Sequence, residues 1–158
     1  MIVRSGIPSD FAQISLLVDA AFKGQDESVL IEDLRRLGDM VFEFVALEGD
    51  AVIGHIAMSR LMSPPGCLAL APLAVFPDHQ GRGVGSLLAR TATEAAKAAG
   101  WTAAFVLGNP KYYGRFGYDV ARASNFNTRY PKEFTGVCIF DEIKFRSLPR
   151  EIVYSKAF

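Results

Sequence analysis

Apolar positions recur along this chain in two periods, and the switches between them divide it into elements. Ile2 to Arg4 is a short strand candidate, and Pro8-Ser9-Asp10 reads as a helix start, because Ser and Asp side chains accept hydrogen bonds from free backbone N–H groups. Phe11, Ile14, Leu17, Val18 and Ala21 follow at helical spacing, and Gly24 ends the run. A second helix is predicted from Ser28 to Leu37, with Val29, Leu30, Leu34 and Leu37 inward and Gly38 as its stop. The pattern then turns to strands. Phe42 to Glu48 and Ala51 to Met62 flank Gly49-Asp50, a hairpin turn. Beyond the turn residues Pro64-Pro65-Gly66, Cys67 to Phe76 is almost continuously apolar, as in a strand buried on both faces. Pro72 removes a ladder donor inside it and predicts a bulge or a break in pairing.

A strong helix is expected from about Gly83 to Ala99, with Val84, Leu87, Leu88, Thr91 and Ala95 as its apolar stripe and Gly100 as its end. Ala103 to Leu107 is a strand, and Lys111 to Phe116 a short helix opened by Pro110. Tyr118 to Ala121, Val137 to Phe145 and Ile152 to Tyr154 are later strand candidates, and Arg122 to Gly136 is polar enough for a long loop. The order β-α-α-β-β-β-α-β-α-β-β is a mixed α/β pattern, expected to form a single domain over residues 1–158.

Composition narrows the function classes. Half of the 158 residues are hydrophobic and 22% are charged, which suits one soluble core. Lys plus Arg equals Asp plus Glu at 17 each, so the formal charge is zero. A nucleic-acid partner is therefore not expected. Cys67 and Cys138 stand singly, without a Cys-x-x-Cys pair or nearby His, so no metal is expected. No apolar run approaches the roughly 18 residues of a membrane helix, and Met1 to Gly6 lacks the core of a signal peptide. The expectation is a cytoplasmic protein with no membrane partner.

The most informative stretch is Leu73-Ala74-Val75-Phe76-Pro77-Asp78-His79-Gln80-Gly81-Arg82-Gly83-Val84-Gly85, running from strand through loop to helix. Glycine lets a backbone approach a bulky anion and adopt unusual dihedrals. The helix start behind it offers free N–H groups and a partial positive charge, so the two make a pyrophosphate cradle. Arg82 adds a cation with forked geometry. A P-loop would need Lys-Ser/Thr after its last glycine, where this chain has Ser86-Leu87. A dinucleotide loop would need Gly-x-Gly-x-x-Gly, where this chain has Gly-x-Gly-x-Gly.

Gln80-Gly81-Arg82-Gly83-Val84-Gly85 resembles the Q/R-x-x-G-x-G/A coenzyme A-binding motif of the GNAT acetyltransferases, and Leu73-Ala74-Val75 resembles that family's splayed strand. The order of elements is similar over nearly the whole chain. The resemblance implies the GNAT acyl-CoA N-acyltransferase fold: a central mixed sheet, splayed at the fourth strand, with flanking helices. It implies acetyl-CoA as acyl donor and an amine, small-molecule or peptide, as acceptor. It assigns backbone groups of Leu73 and Val75 to the pantetheine arm, with Ala74 between them. It assigns the N–H groups from Gln80 to Ser86 to the pyrophosphate, and makes the Val75 N–H the oxyanion donor.

A second block, Leu107-Gly108-Asn109-Pro110-Lys111-Tyr112-Tyr113-Gly114-Arg115-Phe116-Gly117-Tyr118, resembles the family's later motif, in which an Asn precedes Tyr-x-x-x-Gly-Phe. It implies that Asn109 bonds the pantetheine and that Tyr113 is the catalytic acid. Tyr118 stands where Phe is usual. The chemistry supports Tyr113 independently, since a phenol holds its proton at neutral pH and can give it to a leaving thiolate. Tyr112, beside it, is expected to pack.

No general base stands out. Glu43, His55 and His79 are candidates, or the amine arrives already deprotonated. Asp26, Glu27, Glu32 and Asp33 are acidic residues around the second helix that could attract a cationic amine, although an ordinary solvated helix face is the default reading of them. A non-catalytic sensor of acyl-CoA would keep the same glycines without a proton donor. Strand candidate Ile152 to Tyr154 could cross to a second subunit, leaving a homodimer open.

Overall fold

The computed structural model describes all 158 residues. Six strands form one sheet in sequential order: β1 (Ile2–Ser5), β2 (Met40–Glu48), β3 (Ala51–Arg60), β4 (Cys67–Val75), β5 (Ala103–Leu107) and β6 (Thr135–Ile139). Only β4 and β5 run parallel, and the connection between them is the helix α3 (Val84–Ala98). A parallel pair needs such a crossover, whereas the hairpin β2–β3 closes through Gly49-Asp50. Helices α1 (Phe11–Phe22) and α2 (Asp26–Leu37) cover the sheet face opposite α3.

The bulge predicted at Pro72 is present. Leu73 pairs with Ile56 and Leu70 with Met58, so Ala71 and Pro72 together face the single residue Ala57. Pairing of β4 with β5 ends at Leu70–Val106. Beyond that point β4 stays on β3 while β5 continues on β6, to Leu107–Thr135. The sheet therefore opens into a cleft between the C-terminal ends of its two parallel strands.

Two helix stripes sit at a different phase from the sequence expectation. In α2 the buried residues are Ser28, Ile31 and Leu34, while Val29 is 50% exposed. The helix starts two residues earlier than predicted, and the Ser28 hydroxyl turns inward because it bonds the Gln25 carbonyl (3.0 Å). In α3 the buried stripe is Val84, Leu88, Ala89, Ala92, Thr93 and Ala96, with Leu87 outward. Small residues let this helix lie close to the sheet. A Cβ at Gly54 of β3 would stand 2.8 Å from side-chain atoms of both Val84 and Leu88, so the absence of a side chain there fixes how closely the start of α3 docks.

The C-terminal third departs most from the expected strands. Tyr118–Ala121 is not a strand. Asp119 accepts from the Ala121 N–H (2.9 Å) and caps the short helix α5 (Val120–Ala123). The apolar run Val137–Phe145 is split by Asp141, which caps α6 (Glu142–Arg146) after β6 has ended at Ile139. The predicted Arg122–Gly136 loop contains the end of α5, a single turn at Lys132–Phe134 and the start of β6. Ile152–Tyr154 makes only an isolated bridge, Val153 to Ser63 of the same chain. Here α4 denotes the helix Pro110–Gly114 that follows β5.

Candidate functional site

Two cavities flank the open end of β4, and Leu73 lines both. The first, of about 460 Å³, is walled by Leu73, Val75, the 79–86 loop, Tyr112 and Arg115. The second, of about 330 Å³, lies on the other side of Leu73 and includes Tyr113.

The loop is shaped by its glycines. Gly81 (φ 77°) and Gly83 (φ 82°) occupy the left-handed region, which costs any other residue about 1–2 kcal/mol. Gly85 sits in the first turn of α3 for a different reason: a Cβ there would stand 2.7 Å from the Tyr112 hydroxyl. Leu87 N–H is the first in α3 to find a backbone carbonyl, that of Gly83 (3.0 Å). The N–H groups from Gly81 to Ser86 are thus left free at the positive end of a helix of 15 residues. The Gln80 N–H bonds the Pro77 carbonyl (3.3 Å), and its side-chain amide donates to the Val75 carbonyl (3.0 Å), tying the loop to the strand.

Strand β4 presents its main chain to the cleft. Phe76 N–H bonds Ile53 of β3 (2.8 Å). Alternation along an antiparallel strand then turns the Val75 N–H away from β3, into the opening where β5 no longer pairs. The side chains of Leu73 and Val75 pack toward α3, while Ala74 is buried on the α1 face and contributes only backbone.

The expected cation and the observed one differ. Arg82 is exposed and is not part of either cavity wall. Arg115 lines the first cavity, donates to the Ser86 hydroxyl (3.1 Å) and lies 4.8 Å over the Tyr112 ring. Tyr112 itself roofs Gly85 rather than packing in the core. Both were missed because nothing in the motif spacing marks them; their separation of one helical turn on the Pro110 segment was the available signal. Asn109 caps α4 by accepting from the Lys111 N–H (2.9 Å) and borders a separate surface cavity with Pro131 and Phe134.

Tyr113 and Tyr112 take opposite sides of the cleft from adjacent positions, their rings perpendicular at 5.0 Å. The Tyr113 ring lies flat on Gly108, where a Cβ would collide with its Cε2. Burial, helped by Tyr112, pushes the Tyr113 phenol up to about 12. Tyr118, by contrast, shares a hydrogen bond between its hydroxyl and that of Thr93 in the core (3.0 Å).

The three base candidates lie apart from Tyr113. Glu43 is held by Arg35 and by His55 Nε2 (2.9 Å) between α2 and the sheet, and lines neither cavity. Burial works to raise its pKa, but the hydrogen bonds from His55 and Arg35 outweigh that and hold the carboxyl below its usual value. Burial lowers His55, which is fully enclosed, despite Glu43. His79 borders the first cavity, 3.9 Å from Glu48. Of the acidic residues around α2, only Glu27 lines the second cavity.

Residues 11–118 match the profile of the acetyltransferase (GNAT) family. The chain is 31% identical over 135 residues to the uncharacterized N-acetyltransferase YhbS of Escherichia coli K12, covering 83% of this chain and 81% of that protein. The crystal structure of the Escherichia coli YhbS protein with CoA superposes at a TM-score of 0.91, with 26% identity, over 99% of this chain and 91% of that one. A GNAT acetyltransferase from Brucella melitensis with acetyl-CoA gives 0.83 and 28%, over 99% and 97%. The splayed sheet, the glycine loop at the mouth of α3 and these likenesses together place the chain in the GNAT acetyltransferase family.

Proposed function

We propose that this protein transfers the acetyl group of acetyl-CoA to a primary amine, directly, with both substrates bound on either side of Leu73. The observation that carries the proposal is the run of free N–H groups from Gly81 to Ser86 facing a cavity continuous with the opened edge of β4. Donors in that arrangement suit a diphosphate, and Arg115 and Ser86 add a cation and a hydroxyl. The Val75 N–H and the Leu73 main chain face the opening and can bond an amide-bearing arm as a strand would. No cysteine serves as an acyl carrier in this scheme: Cys67 is buried and its thiol is pushed up to about 12 by burial, and Cys138 packs beside Phe116.

In the transfer, the amine nitrogen bonds the acetyl carbon and the carbon–sulfur bond breaks. An ammonium acceptor loses two protons in all, one to solvent before attack and one as the amide forms, which replaces the proton that Tyr113 gives up. The Val75 N–H meets the carbonyl oxygen as it gains charge. Tyr113 supplies a proton, or a strong hydrogen bond, to the departing sulfur. A phenol near 12 is a weaker acid than a thiol near 8.5, so full donation is uphill unless it is concerted with loss of the nitrogen proton. The residue stays protonated at every working pH.

Tyr113→Phe tests this. Acetyl-CoA should bind with unchanged affinity by calorimetry, while kcat falls about 100-fold. Equal turnover by the variant from pH 6 to 9 would remove Tyr113 from the reaction. Coenzyme binding with no thiol release toward any amine would favour the acyl-CoA sensor instead.

A further inference from the structure

The second cavity has a composition that selects its ligand. Phe22 from α1, Leu30 from α2, Phe105 from β5 and Tyr130, Tyr154 and Phe158 from the C-terminal segment make walls that are apolar and largely aromatic. Glu27 is the one charged residue in that lining. It is half-buried in the first turn of α2 and makes no ion pair within the chain. The cavity, at about 330 Å³, lies at the small end of the roughly 300–1,000 Å³ found for ligand sites. Its far wall is fixed, because Ser155 donates to buried Asp39 (2.7 Å) between Tyr154 and Phe158. Arg129 stacks on Tyr130 and Tyr154 but is not itself part of the wall.

From these features we infer that Glu27 is the recognition group for the acceptor, and that the acceptor is a small monoamine with an aromatic or compact apolar body. The inference rests on the acetyl-transfer proposal for the identity of the reaction, and deepens it by naming the substrate class. The body fills the aromatic walls. The ammonium meets Glu27, and from there its nitrogen can approach Tyr113 on the same cavity wall. A polyamine or an aminoglycoside would carry further ammonium groups into a space with no second carboxylate, and a charge buried without a partner opposes binding.

The test uses the full chain with CoA bound, so that no transfer occurs, and measures affinity for 2-phenylethylamine, its neutral isostere 2-phenylethanol and spermidine by calorimetry. The amine should bind at least tenfold tighter than the alcohol and than spermidine. In Glu27→Gln the preference for amine over alcohol should vanish, with CoA affinity within twofold of the parent. In steady state, KM for 2-phenylethylamine should rise tenfold or more while KM for acetyl-CoA holds. Spermidine binding better than 2-phenylethylamine, or an amine preference that survives in Glu27→Gln, overturns the inference while thiol release on other amines preserves the transferase. Selective amine binding lost in Glu27→Gln, but with no acetylation of any bound amine, keeps the site and overturns the transferase.

Discussion

The two sides of the cleft are built by different means. On the side we propose for the coenzyme the donors belong to the main chain of one contiguous segment, Gly81 to Ser86, and to the edge of β4. On the side we propose for the acceptor the surface is made of side chains drawn from α1, α2, β4, β5, α4 and the C-terminal segment. A main-chain site recognises what every donor in its class shares, and depends on backbone conformation rather than residue identity. A side-chain site recognises what distinguishes one acceptor from another. Changes on the two sides should therefore move different constants.

The largest expected effect comes from the scaffold behind the acceptor side. Arg35 of α2, Glu43 of β2 and His55 of β3 lock together beneath the helix that carries Glu27 and Leu30. Glu43→Gln removes the charge that pairs with a largely buried guanidinium, and should cost about 3 kcal/mol of stability. For a chain of this size that is a fall in Tm of about 6–12 °C in a thermal scan. Turnover per folded molecule should stay within about twofold. A hundredfold loss of kcat at unchanged Tm would instead make Glu43 the general base.

The same contrast explains what the sequence discloses. The coenzyme side lies in consecutive residues, so glycine spacing and a helix start expose it without a structure. Pro72 likewise marked the bulge where β4 leaves β5, because a missing N–H must interrupt pairing. The acceptor cavity is invisible at that level, since Phe22, Glu27, Phe105 and Tyr154 come together only through the fold. Glu27 looks no different from Asp26, Glu32 and Asp33 until the fold sets it alone of the four in the cavity wall. Periodicity also failed where apolar residues flank a stripe on both sides, as Val29 and Leu37 do in α2. In the C-terminal third, capping by Asp119 and Asp141 overrode strand-like composition.

On the coenzyme side, Gly83→Val should force a branched residue into left-handed backbone, at a cost of about 1–2 kcal/mol, and weaken acetyl-CoA binding roughly tenfold. Amine affinity, measured with the site near saturation by CoA, should not change. An equal loss in both constants would mean that the two sides are not independent. The smaller pair of changes separates the cations. Arg115→Ala should weaken coenzyme binding about fivefold, the value of one hydrogen bond made by an exposed, solvent-screened side chain, and more so at low salt. Arg82→Ala should change it less than twofold, because Arg82 does not line the cavity. The opposite ranking would require the loop to rearrange when the coenzyme enters.

The last effect is a pH dependence confined to the scaffold under α2. Burial lowers the pKa of His55 in the folded protein, whereas the unfolded chain takes up the proton near 6.5. The unfolded state then binds more protons than the folded state as pH falls below that value, so stability is lost in the acid direction. The carboxylates held low in the fold, Asp10, Asp39 and Glu43, lose their contribution only as pH falls below about 4. Between pH 7 and 5 the decline therefore belongs to histidine, with a slope of at most about 1.4 kcal/mol per pH unit for one group. Urea unfolding at pH 7 and pH 5 should show that decline in the parent protein and a flatter profile in His55→Gln, which cannot titrate but can still donate toward Glu43. An undiminished slope in that variant would detach the pH dependence from the network under α2, and with it the link between acid sensitivity and the acceptor wall.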